Sequence, residues 1–378
     1  MSHLRPLILA ALVLFSGSAT AHKTRSFDSE LGPVLVTEVA RGLENPWALA
    51  FLPDGRMLVT ERPGRMRIVT ADGRLSAPLK NVPDVHARGQ GGLLDVVLSP
   101  DFQASRRIWF CYAEPRGAVS GTTLAHARLT DDALAEVTPV FRQMPAKDTH
   151  HHFGCRIVFT PDAHLFLVLG DRGNYRELAQ DLQTHLGKVI RLRSDGSVPE
   201  DNPFAGRENA LPEIWSYGHR NAQGAALHPQ TGRLWLHEHG PRGGDEINVA
   251  YPGRNYGWPV ITYGREYSGA TIGEGISAAA GMEQPIHYWV PSIAPSGMAF
   301  YTAERHRPWR GNLFVGSLKF GQLVRLVLDG ETVVHEERLL EGLDKRIRDV
   351  RLGPDGDLYL LTDEADGRVL RVGLAARR

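Results

Sequence analysis

One strand–turn–strand unit recurs six times along the chain, and few folds accommodate such repetition. The unit is an apolar strand, a Pro-Asp-Gly-like turn, a second strand, a loop, and a third strand ending in a polar turn. Its clearest copy runs through Trp47–Leu52, Pro53-Asp54-Gly55, Met57–Glu61 and Met66–Thr70, closing at Asp72-Gly73. Further copies begin at Leu93, Cys155, Gly224, Gly297 and Asp349, the last turning through Gly353-Pro354-Asp355-Gly356. Units of three or four short strands, each too small to bury its own face, are the signature of a β-propeller. The expectation is therefore an all-β fold with six blades. An additional apolar strand, Pro33–Val39, stands before the first copy, and pairing it with the last blade closes the ring and removes two exposed sheet edges. A pair of β-sandwiches is the competing architecture. Even repetition and the lack of a Pro/Ser-rich linker weigh against it. Insertions at Arg172–His185, Val198–Pro212 and Pro252–Pro295 interrupt the repeats. In a propeller such loops are expected on one face, around the channel, where ligands bind.

The 378 residues suffice for one large β domain, and helical patterning is nearly absent. A net charge of +0 and a pI near 7.3 give no basis for capturing nucleic acid or acidic lipid. His3 and Arg5, the apolar run Leu7–Phe15 and the small-x-small site Ala19-Thr20-Ala21 read as a secretory leader. This divides the chain into a cleaved leader, 1–21, and one propeller, 22–378, working in a periplasm. The leader's apolar run is too short to span a bilayer, and no other stretch is long enough. Export permits a disulfide. Cys111 and Cys155, however, both lie in apolar strand runs (IWFCYA and GCRIVF), and two buried free thiols are expected.

Thr149–Gly173, THHHFGCRIVFTPDAHLFLVLGDRG, is a hairpin with a His-rich approach and a polar exit. Both open ends of a hairpin lie on one side, so His151 and His152 should meet Asp171: a base beside an orienting carboxylate. Other polar clusters fall on the same presumed face. Gly89-Gln90-Gly91-Gly92 combines close backbone approach with an amide. Tyr217-Gly218-His219-Arg220-Asn221 sets a cation beside an amide. Gly240-Pro241-Arg242-Gly243-Gly244-Asp245-Glu246 offers hard oxygen ligands of the kind Ca²⁺ takes. Lys319 interrupts an apolar run, and alternation places Arg346 and Arg348 on one side of an extended chain. Lys319, Arg220, Arg346 and Arg348 together suit a planar polyanion.

The segments HFGCRIVFTPD, LGDRG, SYGHRNAQG, HEHGPRGGDEIN, NYGWPVITYG and RIRDVRLGPDG resemble those of the soluble quinoprotein sugar dehydrogenases, the glucose/sorbosone dehydrogenase group. The likeness covers residues 43–372 and is strongest to the bacterial periplasmic aldose sugar dehydrogenases. It implies a six-bladed propeller that binds pyrroloquinoline quinone (PQQ) and Ca²⁺. Matched position by position, His152 corresponds to the base and Asp171 to its orienting carboxylate. Gln90, Arg220, Asn221, Tyr267, Lys319, Arg346 and Arg348 correspond to quinone contacts. Gly240 and Pro241 correspond to carbonyl ligands of a Ca²⁺ at the quinone, and Glu246 and Tyr256 to ligands of a second, structural Ca²⁺. The implied reaction oxidises the anomeric carbon of an aldose to a lactone, with hydride transfer to PQQ and electrons passed to an external acceptor. A monomer or weak dimer is expected. His151 stands where glucose-specific members carry Asp, and Cys155 where a small residue is common. The competing functions are a Ca²⁺-dependent propeller lactonase and a non-catalytic propeller binding glycan or protein. A lactonase needs carboxylates at the channel in place of a cation ring.

Overall fold

The computed structural model describes residues 23–376; the leader assigned to 1–21 lies outside them. Six antiparallel sheets form the blades, and their innermost strands stand side by side around a channel. These inner strands are Pro46–Phe51, Leu93–Leu98, Arg156–Phe159, Ala222–Leu227, Pro295–Phe300 and Ile347–Leu352. Middle strands are apolar on both faces because each blade is sandwiched between neighbours. Leu165, Phe166, Leu167 and Val168, consecutive in the strand His164–Val168, are all buried. The core is accordingly a ring of apolar seams between blades. Phe166, Val168 and Val189 of the third blade, for example, pack on Ala222, Leu234 and Leu236 of the fourth. Among the described residues the only helical pieces are Phe102–Ser105 and two 3-10 turns, Arg176–Ala179 and Arg307–Trp309. No helix there is long and apolar enough to cross a membrane.

The ring closes as the sequence pattern indicates. The strand Val34–Leu43 pairs antiparallel with Gly367–Leu374, register Val34↔Leu374 through Leu43↔Gly367, and Thr24–Phe27 adds an outer fifth strand to that sheet. Four blades also carry an outermost strand outside the repeating unit: Leu134–Arg142, Ile214–Tyr217, His287–Trp289 and Thr332–Leu339. The two longest of these lie half in solvent, and their mixed burial leaves little apolar signal. The first blade has three strands.

The expectation of free thiols is overturned: Cys111 and Cys155 form a disulfide, with Cα atoms 6.1 Å apart. Cys111 lies in the second strand of the second blade, Arg107–Arg116, and Cys155 directly precedes the inner strand of the third. The two apolar runs face each other across one seam, an adjacency that a separation of 44 residues conceals.

Halfway down the channel, two aspartates and two arginines form a closed polar cluster. Asp95 bonds Arg156 at 2.9 Å and Arg351 at 2.7 Å; Asp349 reaches the same pair at 3.1 and 2.8 Å. Asp95 also accepts the Ile157 amide, Asp349 accepts the Leu49 amide, and the Arg156 guanidinium lies over Trp47. These buried charges are paired, as their desolvation requires, although Arg156 Nη2 and Asp349 Oδ1 make no hydrogen bond.

Candidate active site

Above the cluster, at the end where the inner strands begin, two adjoining cavities open and share Gln90. The inner one, about 280 Å³, is lined by Trp47, Arg62, Gln90, Asn221, Gln223, His239, Arg346, Arg348 and Asp363 among others. The outer one, about 680 Å³, is lined by His151, His152, Asp171, Arg176, Arg220, Pro241, Trp258, Glu266 and Tyr267 among others.

The hairpin geometry brings His152 and Asp171 together. His152 Nδ1–H donates to Asp171 Oδ1 at 2.6 Å, which leaves Nε2 with a free lone pair. Asp171 is fully buried. Its Oδ1 also accepts the Gly173 amide at 2.7 Å, and its Oδ2 accepts the Trp258 indole N–H at 2.7 Å. Burial pushes the His152 imidazole below the usual histidine range, against the pull of Asp171, and Arg220 adds to the lowering. At neutral pH the ring is unprotonated and able to accept a proton.

His152 sits at φ +52°, in left-handed space, a conformation that a non-glycine residue keeps only when neighbours enforce it. Gln90 Oε1 accepts its amide at 2.8 Å, and the Gln90 amide donates to His150 O at 2.8 Å. Gly170 lets the loop approach: a Cβ there would stand 2.2 Å from His152 O. Arg172 completes the clamp by donating to His151 O at 3.0 Å, Ser120 O at 2.7 Å and Thr149 O, while its guanidinium lies 3.8 Å from the centre of Phe153.

In the inner cavity Arg348 pairs with Asp363 at 2.6 Å and Arg346 approaches the same carboxylate at 3.7 Å, so the two guanidinium groups do share a side. Burial works against ionisation of Asp363, yet Arg348 and its hydrogen bond hold it down to about 2. Asn221 Oδ1 accepts the Gly154 amide at 3.3 Å, tying the fourth blade to the loop that carries His152. Tyr267 stands largely exposed on the rim. Lys319 is not among the lining residues; its Nζ lies 4.9 Å over the Phe320 ring. Of the three insertions, Arg172–His185 and Pro252–Pro295 reach the outer cavity, whereas no residue of Val198–Pro212 lines either one.

The pocket has features that accept a flat polyanion and cations. Arg220 Nε and Arg348 Nε are buried without a hydrogen-bond partner, and such donors are costly unless a ligand meets them. The turn at Gly240 is tight, since a Cβ there would stand 2.2 Å from Gly243 O. Gly240 O already accepts from Arg220 at 3.1 Å, and the Pro241 carbonyl is adjacent. Behind this turn Asn248 Nδ2 bridges Glu238 at 3.1 Å and Glu246 at 3.3 Å, and Asn248 Oδ1 is buried without a partner. Burial and the neighbouring Glu238 push Glu246 upward. Glu238 is also met by His219 Nδ1 at 3.0 Å and by the Arg220 amide, and among the described residues no three His, Cys, Asp or Glu side chains converge as a metal site. Glu246 and the orphan Asn248 oxygen are hard oxygen donors of the kind Ca²⁺ takes. The Tyr256 hydroxyl is engaged by Tyr251 N and Val249 O, which leaves its backbone carbonyl as the group available to a cation.

Trp258, Arg62, Arg172 and Asp363 were not among the residues expected at the site. Trp258 falls inside the NYGWP segment and Arg172 directly follows Asp171, so both had a local marker; Arg62 and Asp363 had none.

Residues 43–371 match the profile of the glucose/sorbosone dehydrogenase family. Aldose sugar dehydrogenase YliI of Escherichia coli K12 is 52% identical over 336 residues, 87% of this chain and 90% of that protein. The apo crystal structure of the soluble E. coli aldose sugar dehydrogenase superposes with a TM-score of 0.87 at 48% identity, covering 90% of this chain and 100% of that one. The PQQ-bound aldose sugar dehydrogenase of Streptomyces coelicolor superposes with a TM-score of 0.74 at 30% identity, covering 90% and 98%. With this fold and this match, the chain belongs to the glucose/sorbosone dehydrogenase family.

Proposed function

We propose that the protein is a periplasmic PQQ-dependent dehydrogenase that oxidises the anomeric carbon of aldoses to lactones and passes the electrons to an external acceptor. The observation that carries this reading is the pair of partnerless guanidinium donors, Arg220 Nε and Arg348 Nε, buried at the cavities. The carboxylates of PQQ would supply acceptors for them. Gln90, Asn221, Arg346 and Tyr267 would complete its cradle, and Lys319 would join by swinging off Phe320. Gly240 and Pro241 carbonyls would hold a Ca²⁺ beside it, and Glu246 with the Tyr256 carbonyl a second, structural one. When bound, PQQ supplies an electrophilic ortho-quinone that accepts a hydride.

The chain's own residues manage the proton. His152 Nε2 takes it from the sugar's anomeric hydroxyl, and Asp171 keeps the other ring nitrogen protonated and stabilises the charge the ring acquires. Cations rather than carboxylates dominate the inner cavity, which favours this reading over a lactonase.

The test is reconstitution with PQQ and Ca²⁺, followed by dye reduction over a panel of mono- and disaccharides. Sugar-dependent reduction is expected; none on any aldose, with PQQ bound, would discard the reading. For the structural ion, Ca²⁺ should raise Tm and a chelator reverse the gain, with Glu246→Gln abolishing the difference. Equal melting of the wild type with and without chelator would remove that ion.

A further inference from the structure

The segment NYGWPVITYG supplies an aromatic side chain that the function proposed above leaves without a task. Trp258 is buried, its amide donates to Gly218 O at 2.9 Å, and Gln180 Nε2 holds its carbonyl at 2.7 Å. The backbone that carries the indole is therefore held at both its amide and its carbonyl. Its N–H ends on Asp171 Oδ2 at 2.7 Å, opposite the oxygen that holds His152.

We propose that Trp258 is a positioning residue for proton transfer: its indole N–H fixes the plane of the Asp171 carboxylate, so that the other oxygen holds His152 in one tautomer and one orientation. The inference rests on the reading of His152 as the base. Asp171 forms no ion pair with Lys or Arg among the described residues; its side chain meets His152, the Gly173 amide and Trp258. With Trp258 removed, nothing holds Oδ2, and the carboxylate can turn about its Cβ–Cγ bond. An uncapped carboxylate also pairs more strongly with a cationic imidazole, so His152 gains basicity. The charged or titratable groups around His152 are Asp171, Arg220, His151 and His239, and those around Asp171 include Arg172 and Lys188. Indole carries no charge, so its replacement acts through the hydrogen bond and through the contact of its ring with Arg220, 5.3 Å from the ring centre.

The decisive variant carries 3-benzothienylalanine at position 258, which keeps the bicyclic shape and its packing near Arg220 and deletes only the donor. Trp258→Phe is the second variant, should the first fold poorly by thermal unfolding. In the reconstituted enzyme kcat should fall about tenfold with the sugar KM within about twofold, and the acid limb of kcat/KM should move to higher pH. In an Asp171→Asn background the same replacement should cost almost nothing. An equal loss in both backgrounds, or a raised KM with unchanged kcat, would make Trp258 a mere wall of the pocket. A readout independent of turnover is the His152 titration by NMR in cofactor-free protein. Its midpoint should rise by about half to one pH unit, and an unmoved midpoint overturns the proposal. Failure of the dehydrogenase reading itself shows separately, as no dye reduction by the unmodified protein.

Discussion

The two mouths of the channel are built from the same six strands and have opposite character. Where the inner strands begin, Gln90, Asn221, Gln223, Arg346, Arg348 and Asp363 join Trp47, Leu94, Phe153 and Leu318 in the lining; where they end, it is mostly Phe51, Val96, Leu98, Leu227, Met298 and Phe300, with Thr302 and Arg351. The Asp95–Arg156–Asp349–Arg351 cluster divides them. Side-chain alternation does not separate the mouths, since both ends of a strand face the same channel. The difference comes from what joins each end. At the first mouth the strands are approached by loops from the preceding blade and overlain by the two long insertions, which bring polar groups and orphan donors. At the second, the chain returns through Pro-Asp turns in the first, third and sixth blades and through longer connections in the others, which add little to a lining made mostly of the strands' apolar ends. Chemistry in this ring is thus a property of connections, while the strands provide the fixed frame.

His152→Ala breaks the comparison most severely at the upper mouth. Removing a general base should lower kcat by about 10²- to 10⁴-fold, with PQQ affinity by absorbance titration nearly unchanged; normal turnover would dismiss His152 as base. In the wild type, the depressed imidazole places the acid limb of kcat/KM below pH 6.5. The rate falls as pH drops through the His152 pKa because the protonated ring cannot accept a proton, and a limb above pH 7 contradicts this assignment. Next in size is Cys155→Ser. Loss of the bridge should cost about 2–4 kcal/mol of stability by denaturant titration, and wild type under reductant should behave alike. Arg348→Met should weaken PQQ binding by about 1.5–3 kcal/mol, the worth of a hydrogen bond to a charged group; unaltered affinity would remove Arg348 from the cradle. The smallest effect belongs to the lower mouth. Leu227→Ala should cost about 1 kcal/mol of stability and leave kcat within twofold, and a large loss of activity there would erase the contrast between the two ends.

Much of this organisation could be read from residue order. Six repeats and a spare strand specify a closed ring, and a hairpin carries His152 to Asp171 because its open ends must coincide. Arg346 and Arg348 are two apart in an extended segment, which settles that they share a side. Contacts between blades had no such local rule. The disulfide joins runs that look like ordinary core, and Trp258 reaches Asp171 only because an insertion in the fourth blade folds over the third. Lys319 shows the converse: its position in the chain suggested the ring of cations, but its side chain found an aromatic face nearby.

The sixth sheet holds a consequence for how the molecule is made. Its outer strands, Thr24–Phe27 and Val34–Leu43, precede every other strand in the chain, and their partner Gly367–Leu374 follows all the rest. No chain that lacks the last strand can seal the toroid, so until it docks the early strands keep one edge bare. A C-terminal truncation that removed Gly367–Leu374 would leave five blades and an unzipped clasp, and such a fragment should be far more prone to aggregation than its small missing mass suggests.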